Sequence, residues 1–132
     1  MQNKKIEECI KVTEQKNLFV LTSGPIPPNP SELLGSKRMK HILSEFQQIF
    51  DYILIDAPPL LAVTDSQILS TISDGVIMVT VYGKTDKSSI MKSKDLLDKV
   101  GAKVIGFVLN KIPEKADSYY YSKYYSYYGE SE

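Results

Sequence analysis

Cysteine and histidine are almost missing from this sequence: Cys9 is its one thiol and His41 its one imidazole. An internal disulfide is excluded, and so is a usual zinc site, which draws its ligands mainly from these two residue types. A reducing compartment suits such a chain. Excess charge is missing too, since sixteen basic residues balance sixteen acidic ones. The broad electrostatic pull that nucleic acids and anionic membranes depend on is therefore weak, and no nucleic-acid partner is expected. The longest apolar runs, around Leu18 to Leu21, Tyr52 to Ile55 and Val76 to Val81, are far too short to cross a bilayer as helices. The opening MQNKKIEECIKV lacks the apolar centre of a secretory signal. A soluble chain is expected, either whole or a piece of a longer one. With 132 residues there is material for one core and little for a second.

What the chain does contain is an alternation of apolar runs and helical patterns. Residues 1–17 are polar, with Ile6, Ile10 and Val12 at roughly helical spacing, and read as a short amphipathic helix or an ordered lead-in. Leu18 to Leu21 is rich in strand formers and is stopped by Ser23-Gly24-Pro25, which predicts a buried strand. Four prolines between Pro25 and Pro30 then set a stiff loop. Asn29-Pro30-Ser31-Glu32 has the order of a helix start, and Gly35 divides the helical stretch into two pieces. Met39, Ile42, Leu43, Phe46 and Ile49 form one apolar stripe on the second piece.

Tyr52 to Ile55 is apolar on both faces, as a central parallel strand must be, and breaks at Asp56-Ala57-Pro58-Pro59. Thr64 or Asp65 can cap a short helix, Val76 to Val81 reads as a strand, Ile90 to Val100 as a helix and Val104 to Leu109 as the last strand. No hairpin signal is present. Four strands separated by three helical stretches predict an α/β sandwich on a mostly parallel sheet of about four strands. Ligands of such sheets gather beyond the carboxyl ends of the strands, which would bring Gly24, Asp56, Tyr82-Gly83 and Asn110 to one edge.

Asp56 is the sharpest chemical feature. A carboxylate at the end of an apolar strand is costly to bury unless a metal, water or donor compensates, and in nucleotide-binding α/β proteins such an acid steers Mg²⁺ against phosphate. A strand-ending acid facing solvent is the alternative. Gly83-Lys84-Thr85 imitates the end of a phosphate loop, but the first glycine of G-x4-GK[ST] is replaced by Met78. A plain turn in which Thr85 or Asp86 caps the next helix is the better reading. Asn110 is placed to meet a base edge, or merely ends a strand in a turn. His41 reads as a surface residue. Seven of the nine tyrosines crowd into residues 114–132, a segment without Leu, Ile, Val or Met that reads as a flexible tail of phosphoryl acceptors or as generic low complexity.

LTSGPIPPNPSELLGSKRM, FDYILIDAPPLLAVTDSQIL, GFVLNKI and the terminal tyrosines, in this order, together resemble the bacterial tyrosine autokinases of capsular and exopolysaccharide synthesis. The resemblance begins at about Asn17 and implies a partial P-loop-type sandwich like that of the MinD and ParA ATPases. It implies a lead-in over 1–17, the C-terminal half of a kinase domain over 18–113 and a tyrosine tail over 114–132. IDAPP would be the family's Walker B segment, with Asp56 catalytic and Mg²⁺-organising. Asn110 would contact the nucleotide, and Tyr119, Tyr120, Tyr121, Tyr124, Tyr125, Tyr127 and Tyr128 would be the acceptors. ATP and Mg²⁺ are the implied cofactors. A membrane-embedded co-polymerase or activator, further subunits in a ring and a cognate tyrosine phosphatase are the implied partners, at the inner face of the plasma membrane. The family's phosphate loop, its Walker A′ motif and its Arg-bearing oligomerisation helix have no counterpart in these residues, so the chain alone is expected to be inactive.

Overall fold

The computed structural model describes residues 6–113, and the tyrosine cluster falls outside the described residues. The chain divides between Pro30 and Ser31 into two units. In the first, a 3-10 turn (Ile6–Cys9) leads into β1 (Ile10–Val12), which pairs antiparallel with β2 (Phe19–Leu21) in the register Ile10↔Leu21 and Val12↔Phe19. The strand expected at Leu18 to Leu21 is thus half of an exposed hairpin and no member of the parallel sheet. The hairpin left no glycine signature. Asn17 supplies the left-handed residue instead, at φ 63°, a conformation that asparagine tolerates better than most. Thr13 closes the loop by donating its hydroxyl to the Leu18 carbonyl at 2.9 Å.

The second unit carries the α/β fold. α1 (Pro30–Leu34) and α2 (Lys37–Phe46) are separate, as Gly35 predicts, and Ser36 caps α2 by accepting the Met39 amide at 3.1 Å. The apolar stripe of α2 stops at Phe46: Ile49 lies beyond the helix and is exposed, while Phe50 turns back edge-on to Phe46 at 5.8 Å. His41 is on the surface beside Glu45, one helical turn away. Ser31 donates to Asp65 at 2.7 Å and lies 3.1 Å from the Thr64 hydroxyl, which ties α1 to the start of α3 (Asp65–Ser70).

β3 (Val76–Val81) and β4 (Val104–Asn110) pair in parallel, from Val76↔Val104 to Val81↔Asn110, and α4 (Lys87–Lys99) is the crossover between them. Thr80 adds a side-chain bond to the Val108 carbonyl at 3.2 Å. The core is small. Among the described residues, Phe46, Leu69 and Leu97 are the buried apolar side chains, whereas Ile77, Val79, Ile105 and Phe107 stand half-exposed on the two strands.

Tyr52 to Ile55 departs from expectation. The segment is extended but joins no ladder, and Tyr52 and Leu54 are 88% and 89% exposed. A central strand exists only through its neighbours, because its backbone groups need partners on both edges. The described residues provide a neighbour on neither edge. The sheet of about four strands therefore reduces to one parallel pair, and the α/β character rests on β3, α4 and β4 with the helices around them.

Candidate active site

The two parallel strands put Val81-Tyr82 and Asn110 at one carboxyl edge, joined by the Tyr82 amide donating to the Asn110 carbonyl at 2.9 Å. Asn110 also turns its side-chain oxygen onto the Lys111 amide at 2.7 Å, which holds Lys111 at φ 58°. The asparagine thus ends the strand in a turn, with its carboxamide nitrogen as the group left to donate outward. Gly24 follows β2 in the other unit and is not part of this sheet.

The Gly83 turn answers the phosphate-loop question. The amides of Lys84 and Thr85 both point at the Val81 carbonyl, at 3.1 and 3.0 Å, and the Thr85 hydroxyl accepts the Val81 amide at 2.9 Å. A loop that cradles phosphate must converge its amides on an empty centre, and these converge on the turn itself. Asp86 then caps α4. It accepts the Ser89 amide at 2.9 Å and the Ser89 hydroxyl at 2.6 Å, and these bonds hold its carboxyl below the usual value of 3.8.

Asp56 sits on an exposed, extended stretch. Two residues on, the Pro58 carbonyl accepts the Ser66 hydroxyl at 2.5 Å, so α3 anchors the chain just beyond the acid. Asp56 lines a trough of about 1050 Å³ that also takes in Thr85 and Ser89 but not Asn110. Of the residues put forward from sequence, Asp56 lines this trough, while Asn110 stands at the end of β4 and does not. Ser66, Thr85 and Ser89 escaped the sequence reading as parts of this rim. The Asp86-x-x-Ser89 capping spacing was the one signal that could have found Ser89.

A magnesium ion held by one carboxylate and by phosphate oxygens asks of the protein no more than Asp56 offers. No cluster of three or more acidic, histidine or cysteine side chains that could hold a metal ion occurs among the described residues. ATP asks for convergent amides, and the Gly83 turn does not offer them. No helix among the described residues is long and apolar enough to cross a membrane.

Residues 1–101 match the family described as AAA domain. Tyrosine-protein kinase YwqD of Bacillus subtilis is 40% identical over 123 residues, which are 92% of this chain and 52% of that protein. The crystal structure of the chimerical protein CapA2B2 superposes at a TM-score of 0.80 with 38% identity, covering 84% of this chain and 49% of that one. The kinase domain of Escherichia coli tyrosine kinase ETK does so at 0.80 with 28% identity, covering 86% and 44%. The chain spans about half the length of the curated relatives it matches. A family match over most of its residues, together with a backbone shared with kinase domains, means that the chain belongs to the AAA domain family and, within it, to the bacterial tyrosine-protein kinases.

Proposed function

We propose that this chain is the magnesium-steering and phosphate-accepting part of a tyrosine autokinase, corresponding to residues 18–113 of domain and 114–132 of acceptor tail. The observation that carries the reading is Asp56, an exposed carboxylate held at the rim of a trough by the Ser66 anchor, in a chain that ends in clustered tyrosines. In this reading Asp56 orients Mg²⁺, which when bound offsets charge on the β- and γ-phosphates of ATP. Tyr119, Tyr120, Tyr121, Tyr124, Tyr125, Tyr127 and Tyr128 are the acceptors: a phenol oxygen bonds to the γ-phosphorus, ADP departs and the phenolic proton is lost. Asn110 donates its carboxamide to the nucleotide.

The Gly83 turn does not supply the phosphate cradle for this, because it spends its amides on Val81. Phosphoryl transfer is mostly positioning and charge neutralisation, and a protein without a phosphate cradle forfeits most of both. Tail phosphorylation on subunits arranged in a ring regulates polymerisation and export of a capsular or exopolysaccharide. The chain acts at the inner face of the plasma membrane through a membrane-embedded co-polymerase, and a tyrosine phosphatase resets it.

The turn at Gly83 also favours a second reading, in which the chain is only an acceptor and assembly module for a complete kinase. Labelled ATP separates the two. Under the first reading the chain labels its tail when the missing half of a relative is supplied, and Asp56→Asn lowers that labelling at least tenfold. Labelling that needs an intact kinase and ignores Asp56→Asn supports the second. Nucleotide hydrolysis unaffected by removal of residues 116–132, with no tail labelling in any mixture, would move the chain to a MinD- or ParA-like ATPase role.

A further inference from the structure

Of the sixteen basic residues in the sequence, fifteen are lysines and one is an arginine, Arg38, which stands between Lys37 and Lys40 in the first turn of α2. All three side chains are exposed. The ion pairs among the described residues, His41 with Glu45 and Lys94 with Asp98, leave these three out. Glu45 is the one acid of α2, and the first turn holds none. The arrangement works against the helix that carries it, because a helix start favours negative charge and neighbouring cations on one turn repel each other. The helix amides are not what this surface offers, since Ser36 already accepts the one from Met39. A cluster that opposes its own helix, in a chain whose charges otherwise cancel, asks for an anion from outside that helix. The guanidinium narrows the class: its planar fork grips two oxygens of a phosphate monoester at once, which an ammonium cannot do.

We propose that Lys37, Arg38 and Lys40 form a phosphotyrosine-binding surface and that its occupant is the chain's own tail once phosphorylated. Charge complementarity carries the choice of occupant. Residues 114–132 hold four acids against two lysines, and each tyrosine phosphate adds about 1.5 to 2 negative charges. Reach is sufficient as well. Tyr119 and Tyr128 lie six and fifteen residues beyond Pro113, spans of up to about 20 and 50 Å, against about 15 Å for the whole of α2. Docking of this kind is made by the phosphate and lost without it, so it follows tail labelling and is no condition for it. The inference rests on the proposed reading of the tail tyrosines as acceptors and goes beyond it in naming where their phosphates bind.

The test titrates the intact, unphosphorylated 132-residue chain into a fluorescent synthetic peptide of residues 114–132 with phosphate on Tyr124 and Tyr125, and reads anisotropy over a range of salt. The expected result is saturable binding, about tenfold tighter than that of the same peptide without phosphate and weaker as salt rises. Arg38→Lys keeps the charge but loses the fork, and should weaken binding about fivefold. Replacing Lys37, Arg38 and Lys40 together by alanine should abolish binding without lowering the melting temperature, because cations at a helix start do not stabilise it. Alanine at the exposed Lys92, Lys99 and Lys103 should leave binding unchanged. Equal affinity for the two peptides, an unchanged affinity in Arg38→Lys, or an equal loss in the Lys92, Lys99 and Lys103 variant overturns the inference. Inorganic phosphate that displaces the peptide at equal concentration reduces the surface to a general anion site and overturns it too. So do phosphatidylserine vesicles that bind the chain through the same three residues and that the phosphopeptide does not displace. Because the peptide's phosphates are synthetic, the result does not depend on any kinase activity. Binding without labelling of the complemented chain keeps the surface and removes the autokinase reading, and labelling without binding does the reverse.

Discussion

Asp56 shows how much a single residue can be read for. Its type, its place after an apolar run and the two prolines behind it are all visible in the sequence; in the structure it is exposed, on an extended stretch that joins no ladder. Because it makes no hydrogen bond among the described residues, Asp56→Asn should change the stability of the chain by no more than about 0.5 kcal/mol, checked by urea unfolding. A loss of labelling in that variant would then reflect chemistry and not misfolding. Asp86 carries the opposite signature. Its carboxyl is held low by Ser89, so the unfolded chain binds its proton more readily and stability rises with pH across that range. The capping contribution is full above the ordinary value of 3.8 and fades as pH falls below it. Thermal melts from pH 6 down to about pH 3 should show this fall in the native chain and a flatter one in Asp86→Ala. The cap was legible as one of two alternatives, Thr85 or Asp86; only the fold assigned Thr85 to the Val81 amide instead.

At the scale of elements, α4 is the best-specified piece. It begins at a capping aspartate and ends in a Schellman motif, with the Ala102 amide on the Leu97 carbonyl at 2.9 Å and the Gly101 amide on the Asp98 carbonyl at 3.0 Å. Gly101 stands at φ 70°, where a Cβ is strained although nothing crowds it, so Gly101→Ala should cost about 1–2 kcal/mol in chemical denaturation. Leu97, 1% exposed, is the described side chain on which the packing of this helix most depends. Leu97→Ala should cost about 2–5 kcal/mol, which for so small a core is enough to abolish a cooperative melt. β3, α4 and β4 were read correctly because each carries its own periodicity and ends. The β1–β2 hairpin was missed because its loop has no glycine, and the apolar stripe of α2 was read one turn too long because Ile49 follows the pattern after the helix has ended.

At the scale of the molecule, the large apolar side chains that are exposed outnumber the buried ones among the described residues. Ile77, Val79, Ile105 and Phe107 leave the face of the parallel pair half-open, and Tyr52 and Leu54 are almost fully so. Patches of this kind on an isolated chain drive association. The chain should scatter light above its monomer mass at micromolar concentration and unfold with low cooperativity, and the complementary half of a relative should reverse both. A monomer that melts sharply at every concentration would contradict this.

Local chemistry sufficed for the class of fold and for the parallel pair with its helix, because periodicity and capping act within a few residues of chain, and the kinship with tyrosine kinases was legible as a resemblance of short ordered segments. Tertiary structure alone decided that Tyr52 to Ile55 stands extended and unpaired among the described residues, that the Gly83 turn closes on Val81, and that one trough is lined by both the Tyr52 run and β3. Strand pairing and amide direction are relations between segments distant in sequence, and no window along the chain contains both partners.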